Sequence, residues 1–382
     1  MAATQARTRA MYPLHTTDLP ARSVAIVLGT RPEIIKLAHV IRLLGPAARV
    51  VHTGQHYDRG LSALFIEAFD LDEPDVRLSV GGQTRGSQIG SAVSALDEHL
   101  GTNRPRVLVV QGDTNTALAG AIAGNAQEIP VIHVEAGLRS YDRRMPEEHN
   151  RVLIDHMGDL LFAPTQIAEK NLLEEGIPDS RIRVTGNTVV EAVLELLPDP
   201  NERIVLLDQY GLESGSYILS TFHRPENVDD PARFAVVLEQ LVSLDFPVVL
   251  PLHPRSTARA AEHGMTGLLQ GIHVVEPIGY REFLALGAES AFLISDSGGV
   301  QEEVSVYKRS VIVVRRSTER PEVLGTFAEL VEPGPEISAI ARHWGADIPG
   351  LHQRLAGLPS PYGDGTASDQ IVKEIGALVG DS

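Results

Sequence analysis

Between residues 131 and 151 the chain reads VIHVEAGLRSYDRRMPEEHNR. It opens as a buried strand, then sets Glu135, Asp142, Glu147 and Glu148 among Arg139, Arg143, Arg144 and Arg151. Pro146, Glu147 and Glu148 suit a helix N-terminus, where carboxylates meet the positive end of the helix dipole. Glu135 has no such reason for its place. Directly ending an apolar strand, it is costly to bury unless a cation pairs with it or chemistry uses it. The nearby arginines leave both readings open.

Four further stretches carry residue types that could do chemistry, each just after an apolar run. In LGTRPEIIK, Thr30 and Glu33 fit a capping box and Pro32 suits a first helical turn. Gly29, Arg31 and Lys36 are not explained by helix initiation and suit an anion at the helix start. The stretch lacks the G-x-G-x-x-G spacing of a dinucleotide fingerprint. In LISDSGGVQEE, Ser297 is placed to cap a helix, while Gly298 and Gly299 would let backbone N–H groups approach a phosphate, and Glu303 could hydrogen-bond a sugar diol. Arg320 in VVRRSTERPE could clamp phosphate through its planar guanidinium. Asp113 in VVQGDTNTALAG reads, taken alone, as a helix cap. His223, with Arg224 and Glu226, follows a strand in STFHRPENVDD, a good place to bind phosphate or move protons.

The elements that must position these residues are legible as a rhythm. SVAIVL, RVVHT, RVLVVQ, PVIHVE, DLLFAP and RIRVTG read as buried parallel strands of a first half, and YILSTF, FPVVLPL, IHVVEP, AFLISD and SVIVVR as those of a second. RPEIIKLAHVIRLL, NTALAGAIAGNA and DPARFAVVLEQLVSL read as helices between them. Apolar strands alternating with helices are the mark of α/β doubly wound sheets, in which ligands bind beyond the carboxyl ends of the strands. The expected organisation is a flexible extension over 1–22, a Rossmann-like domain over 23–195 joined by the C-terminal helix 365–382, and a second Rossmann-like domain over 196–364. The rhythm breaks at 195–216, taken as the connection.

Composition bounds the function. The 382 residues are 43% hydrophobic, enough for two cores, and contain no cysteine, so thiolate chemistry is excluded. A formal net charge of −17 argues against a general affinity for nucleic acid or anionic membrane. No run approaches the ~18 apolar residues of a membrane span and no signal-peptide core is present, so a cytoplasmic location is expected. His52 and His56 straddle a turn, and His149 and His156 are not in an H-E-x-x-H frame, so no metal is expected.

Taken in order, GTRPEIIK, TGQH, QGDTNT, HVEAGLRS, MPEEHNR, FHRPEN, DSGGVQEE and TERPE resemble the non-hydrolysing UDP-N-acetylglucosamine 2-epimerases, over residues 28 to 322. The resemblance implies a GT-B type fold of two Rossmann-like domains with the active site in the interdomain cleft, a homodimer, and no cofactor. It implies interconversion of UDP-GlcNAc and UDP-ManNAc by anti elimination of UDP through 2-acetamidoglucal. The family's catalytic residues fall on Asp113, Glu135, Glu147 and His223. Its UDP contacts fall on Arg31, Lys36, Phe283, Ser297, Gly298, Gly299, Glu303 and Arg320. Its allosteric positions match Gln55, His56 and His253, in surroundings that differ. After QEE the chain reads VSVYKRS where the family has Ala-Pro and then Gly-Lys-Pro.

Such chemistry accounts for the density of charge after the strand at 131. The C2 proton is barely acidic and the departing UDP gains negative charge, so carboxylates and cations must share one desolvated site. Crowding is expected to raise at least one carboxylate so that it acts as an acid near neutrality. A UDP-sugar glycosyltransferase and a hydrolysing 2-epimerase are the rival enzymes. A nucleotide-sugar binding module would need Arg31, His223 and Arg320 but not the carboxylates.

Overall fold

A computed structural model describes residues 19–55, 65–252 and 254–380. His56 and His253, with most of the expected N-terminal extension, lie outside the described residues. The chain forms two compact units. The first draws on Met1–Gly137, His149–Thr188 and Thr366–Ser382, the second on Leu138–Glu148 and Val189–Gly365.

The first unit is built on strands β1 (Val24–Leu28), β2 (Ala48–His52), β3 (Val76–Arg77), β4 (Val107–Gln111), β5 (Val131–Val134), β6 (Leu160–Ala163) and β7 (Ile182–Val184). All pair in parallel, in the order β3-β2-β1-β4-β5-β6-β7. Alternation of side chains makes each apolar strand serve two cores. Val24, Ile26 and Leu28 face a layer formed by Ile34, Leu37, Val40 and Leu44 of the helix Arg31–Leu44 and by Ile371, Val372, Ile375 and Val379 of the helix Ala367–Gly380. Ala25 and Val27 face the opposite layer, with Leu96 and Leu100 of the helix Arg85–Thr102 and Ala117 and Ala121 of the helix Asn115–Ala126.

The second unit repeats the plan with β8 (Ile218–Thr221), β9 (Val248–Pro251), β10 (His273–Val275), β11 (Phe292–Ser295), β12 (Val311–Val314) and β13 (Ala328–Val331). Their order is β10-β9-β8-β11-β12-β13, again all parallel. Each sheet therefore reverses its winding once, between β1 and β4 and between β8 and β11. At such a switch the connections leave in opposite directions and open a crevice at the strand ends.

Every apolar run read as a strand is one. β3 and β13 add to that set, and the helices Arg85–Thr102, Glu336–Gly345 and Ile348–Ala356 add to the helices. The segment 195–216 contains the helix Pro200–Tyr210, started by the Asp199 carboxylate on the N–H groups of Asn201 and Glu202 and stopped at Gly211, whose φ is 64°. Among the described residues no helix is long and apolar enough to cross a membrane.

Candidate functional site

In the first unit the candidate residues gather at the carboxyl ends of β1, β4 and β5. Lys36, one turn into the helix after β1, places Nζ 2.7 and 2.6 Å from the two carboxylate oxygens of Glu135. Both side chains are buried, at 7% and 5% exposure, so each supplies the counter-charge that the other's desolvation demands. The Gln111 amide, at the end of β4, donates to the same carboxylate. Glu135 itself has φ +69°, in the left-handed region where a non-glycine residue costs roughly 1–2 kcal/mol. Gly29 is explained by close approach: a Cβ there would lie 2.1 Å from Thr53 Oγ1 and 2.4 Å from Thr116 Oγ1.

Asp113 does not cap the helix that follows it. Thr114 does, its hydroxyl accepting from Ala117 N–H at 2.9 Å, because the chain reaches the N-cap position one residue later. The Asp113 carboxylate is left to pair with Arg151, whose Nε lies 3.1 Å from Oδ2 and whose Nη2 meets the same oxygen. Asn150 donates to the Asp113 carbonyl at 2.8 Å. Asn150, Arg151 and Asp155 all come from the helix Pro146–Met157, which overlays the turns after β4 and β5.

Glu33, read from sequence only as a helix-initiating residue, proves to be a buried junction. Its Oε2 accepts from the N–H groups of Gly29 and Thr30 and from the Thr30 hydroxyl at 2.8–3.0 Å, and its Oε1 faces the Thr114 hydroxyl at 2.8 Å. Burial lifts the Glu33 carboxyl from 4.5 to about 7, against the lowering effect of those four donors. Burial rather than crowding by other carboxylates thus brings this carboxyl into the neutral range. The folded chain holds this proton more tightly than the unfolded chain. The resulting stability is complete below about pH 4.5 and is lost as pH rises through about 7. A shift of that size corresponds to about 3 kcal/mol. Urea denaturation is expected to show stability falling between roughly pH 5 and 8, and Glu33→Gln, whose amide can still donate to Thr114, to flatten that fall. An unchanged pH slope in the variant would remove Glu33 as its source.

In the second unit the candidate residues gather at the ends of β8, β11 and β12. Asp296, wholly buried after β11, accepts from the N–H groups of His223 and Arg224 and from the Asn227 amide at 3.0–3.3 Å. The His223 ring lies with Nδ1 3.1 Å from the same carboxylate and is 60% exposed. Burial works to raise the Asp296 carboxyl, but the His223 ring, Asn227 and Arg224 outweigh it and hold it below its ordinary range. One nitrogen of the imidazole is thus anchored while most of the side chain stays exposed.

Arg320, buried, is held by Glu302 through Nε at 2.7 Å and by Glu319 through Nη1. Glu319 also takes Nη2 of Arg315 at 2.7 Å and lies 3.8 Å from Arg224. Three guanidinium groups therefore share two carboxylates. The helix Gly298–Tyr307 starts against this cluster: a Cβ on Gly298 would lie 2.9 Å from Arg320 Nη1 and 3.1 Å from Glu319 Oε1. Ser297 holds the N-cap position, but its hydroxyl makes no capping bond. Glu303 Oε1 accepts from the Tyr280 hydroxyl at 3.0 Å, and Phe283 stands half-buried on the helix Tyr280–Glu289.

Glu147, in the first turn of the helix Pro146–Met157, is half-buried, and Arg31, at the first position of its helix, is exposed. Neither side chain makes an ion pair or hydrogen bond among the described residues. Glu148 is spent on structure, binding Ser140 N–H and Oγ and Tyr141 N–H at 2.8–3.0 Å. Gln55 turns Oε1 to Thr116 N–H and Oγ1 at 2.8 and 2.9 Å. The sequence reading missed Asp296, Glu319, Glu302 and the buried pair His133–Asp155. A polar residue inside an apolar strand, such as the histidine of VIHVE, was the available signal, because burial obliges it to have partners.

The profile of the UDP-N-acetylglucosamine 2-epimerase family matches residues 46–376. A UDP-N-acetylglucosamine 2-epimerase of Methanocaldococcus jannaschii is 39% identical over 362 residues, which cover 92% of this chain and 98% of the relative. A UDP-2,3-diacetamido-2,3-dideoxy-D-glucuronate 2-epimerase of Pseudomonas aeruginosa is 36% identical over 317 residues, 81% of this chain and 87% of that one. The crystal structure of the M. jannaschii UDP-GlcNAc 2-epimerase in complex with UDP-GlcNAc and UDP is similar with a TM-score of 0.82 at 38% identity, covering 92% of this chain and 99% of that one. The two parallel sheets are those of the GT-B-like epimerases, and the strand ends carry the motifs in the same chain. The chain belongs to the UDP-N-acetylglucosamine 2-epimerase family.

Proposed function

We propose that this chain interconverts UDP-GlcNAc and UDP-ManNAc without hydrolysis. A carboxylate takes the C2 proton while the anomeric C–O bond breaks and its electron pair leaves with UDP, forming the C1–C2 double bond of 2-acetamidoglucal. UDP then re-adds at C1 and C2 is protonated on the opposite face. Asp113, Glu135 and Glu147 are the acid and base groups, and His223 steadies the departing pyrophosphate. Arg31, Ser297, Gly298, Gly299 and Arg320 hold phosphate, Glu303 the ribose diol and Phe283 the uracil. Lys36, given to the same UDP contacts by the resemblance, is held on Glu135 and balances the charge of that carboxylate.

The observation that supports this most is Glu135. Its carboxylate is buried on a backbone in the left-handed region, and both features cost stability that a glycine there would not. Strain kept at a strand end, beside a buried lysine, is the arrangement expected of a reacting group placed by its surroundings. The glucuronate-type relative favours a second reading within the same chemistry, in which the preferred substrate is a different UDP-2-acetamido sugar.

The experiment is incubation of the purified protein with UDP-GlcNAc in D₂O, followed by proton and phosphorus NMR. UDP-ManNAc carrying deuterium at C2 is the expected product, and UDP-ManNAc as the starting sugar should give UDP-GlcNAc carrying deuterium at C2. Free ManNAc with stoichiometric UDP would make the enzyme hydrolysing. Turnover of the diacetamido-glucuronate substrate in preference to UDP-GlcNAc would move the substrate, not the reaction.

A further inference from the structure

The turns after β4 and β5 carry Asp113 and Glu135, and one buried pair reaches both turns. His133 lies inside β5 at 0% exposure. Its Nε2 meets the Gly112 carbonyl at 2.8 Å and its Nδ1 meets Asp155 Oδ1 at 2.7 Å. Asp155, equally buried, presents its other oxygen to the Gly137 N–H at 3.2 Å. Gly112 immediately precedes Asp113, and Gly137 follows Glu135 by two residues. Glycine lets the backbone at Gly112 and Gly137 take φ of 68° and 82° freely, whereas Glu135, at φ 69°, holds a conformation that needs outside support.

A buried polar pair is a poor source of stability, since well-packed apolar residues of similar volume often do as well or better. What it supplies is direction. Each of its hydrogen bonds fixes one turn relative to the other, and together they set the spacing of two carboxylates that come from different strands. We propose that His133 and Asp155 are a positioning pair that holds Asp113 and Glu135 in register for proton transfer. This rests on the reading of those two carboxylates as the reacting groups.

Three variants separate position from charge and from packing. Asp155→Asn can keep every link, its amide donating to His133 Nδ1, its carbonyl accepting from Gly137, and Nε2–H left on the Gly112 carbonyl. Asp155→Ala removes the link to Gly137, and His133→Phe fills the space while removing both hydrogen bonds of the imidazole, to Gly112 and to Asp155. Hydrogen–deuterium exchange is read in peptides containing Gly112–Thr114 and Glu135–Gly137, alongside kcat and UDP affinity. In Asp155→Ala and His133→Phe, both turns are expected to exchange faster. Their kcat is expected to fall at least about 100-fold with UDP affinity within about threefold, the pattern of lost transition-state geometry. Asp155→Asn is expected to stay near the unsubstituted protein in all three readouts.

Unchanged exchange in His133→Phe would dismiss the bridge whatever the enzyme's reaction. Equal losses in Asp155→Asn and Asp155→Ala would show that charge, not position, matters. A kcat that falls only in step with the folded fraction would leave the pair a core feature and overturn the proposal. Absence of epimerisation by the unsubstituted protein would instead overturn the proposed function, and the exchange readout would still test the bridge.

Discussion

Asp113→Asn is expected to lower turnover by about 10³-fold, within the range that positioned general acid–base groups contribute. Asparagine keeps an acceptor oxygen towards Arg151 and the Thr114 cap is untouched, so the turn after β4 should survive. What disappears is a group able to take or return a proton. The residues proposed to hold UDP lie elsewhere in the chain, so UDP affinity should stay within about threefold, the signature of an interaction made only in the transition state. Turnover and UDP titration on the same preparation check this. Normal turnover would take Asp113 out of the chemistry, and a parallel loss of UDP binding would make it a structural residue.

The largest stability effect is expected from Glu319→Ala. Arg315 and Glu319 are 1% and 3% exposed, and Arg315 has no other carboxylate partner among the described residues. Burial pushes the Arg315 guanidinium down from its ordinary value, and Glu319 opposes that push. Removing the anion strands a buried cation and takes a partner from Arg320. Breaking one side of a buried pair costs about 3–5 kcal/mol. In a unit of this size that is a drop in melting temperature on the order of 10 °C. Glu202, paired with Arg281 where both are half exposed, is the control, and its alanine variant should stay within about 0.5 kcal/mol. Equal effects in the two variants would show that burial does not set the worth of these pairs.

The fold was legible because its physics is local. A parallel strand covered on both faces must be apolar throughout, and each such run announced itself. β3, with two residues, is too short to give a pattern, and β13 has Glu329 between its buried and half-buried positions. The helix Arg85–Thr102 escaped notice because Gly86, Gly90 and its serines dilute an apolar face made of Ala92, Leu96 and Leu100. The candidate residues were legible as types after strands, but their partners were not. Lys36 meets Glu135 across 99 residues and Glu33 meets Thr114 across 81, and no spacing within one motif foretells such pairs. For that reason the sequence shows Lys36 only as a cation suited to an anion and Glu33 only as the capping-box residue that it is, and neither the Glu135 that meets the one nor the Thr114 that meets the other.

The helix Ala367–Gly380 has a consequence for synthesis. It supplies Ile371, Val372, Ile375 and Val379 to the core beneath β1, and Arg106 reaches its Val379 carbonyl at 2.6 Å. A ribosome delivers the chain from one end, and domains generally fold as units while it emerges. The second sheet can therefore close while its last strand is fresh from the exit tunnel. The first, begun hundreds of residues earlier, keeps part of one apolar face uncovered until this helix has been made, and over that interval it depends on whatever in the cell shelters nascent hydrophobic surface.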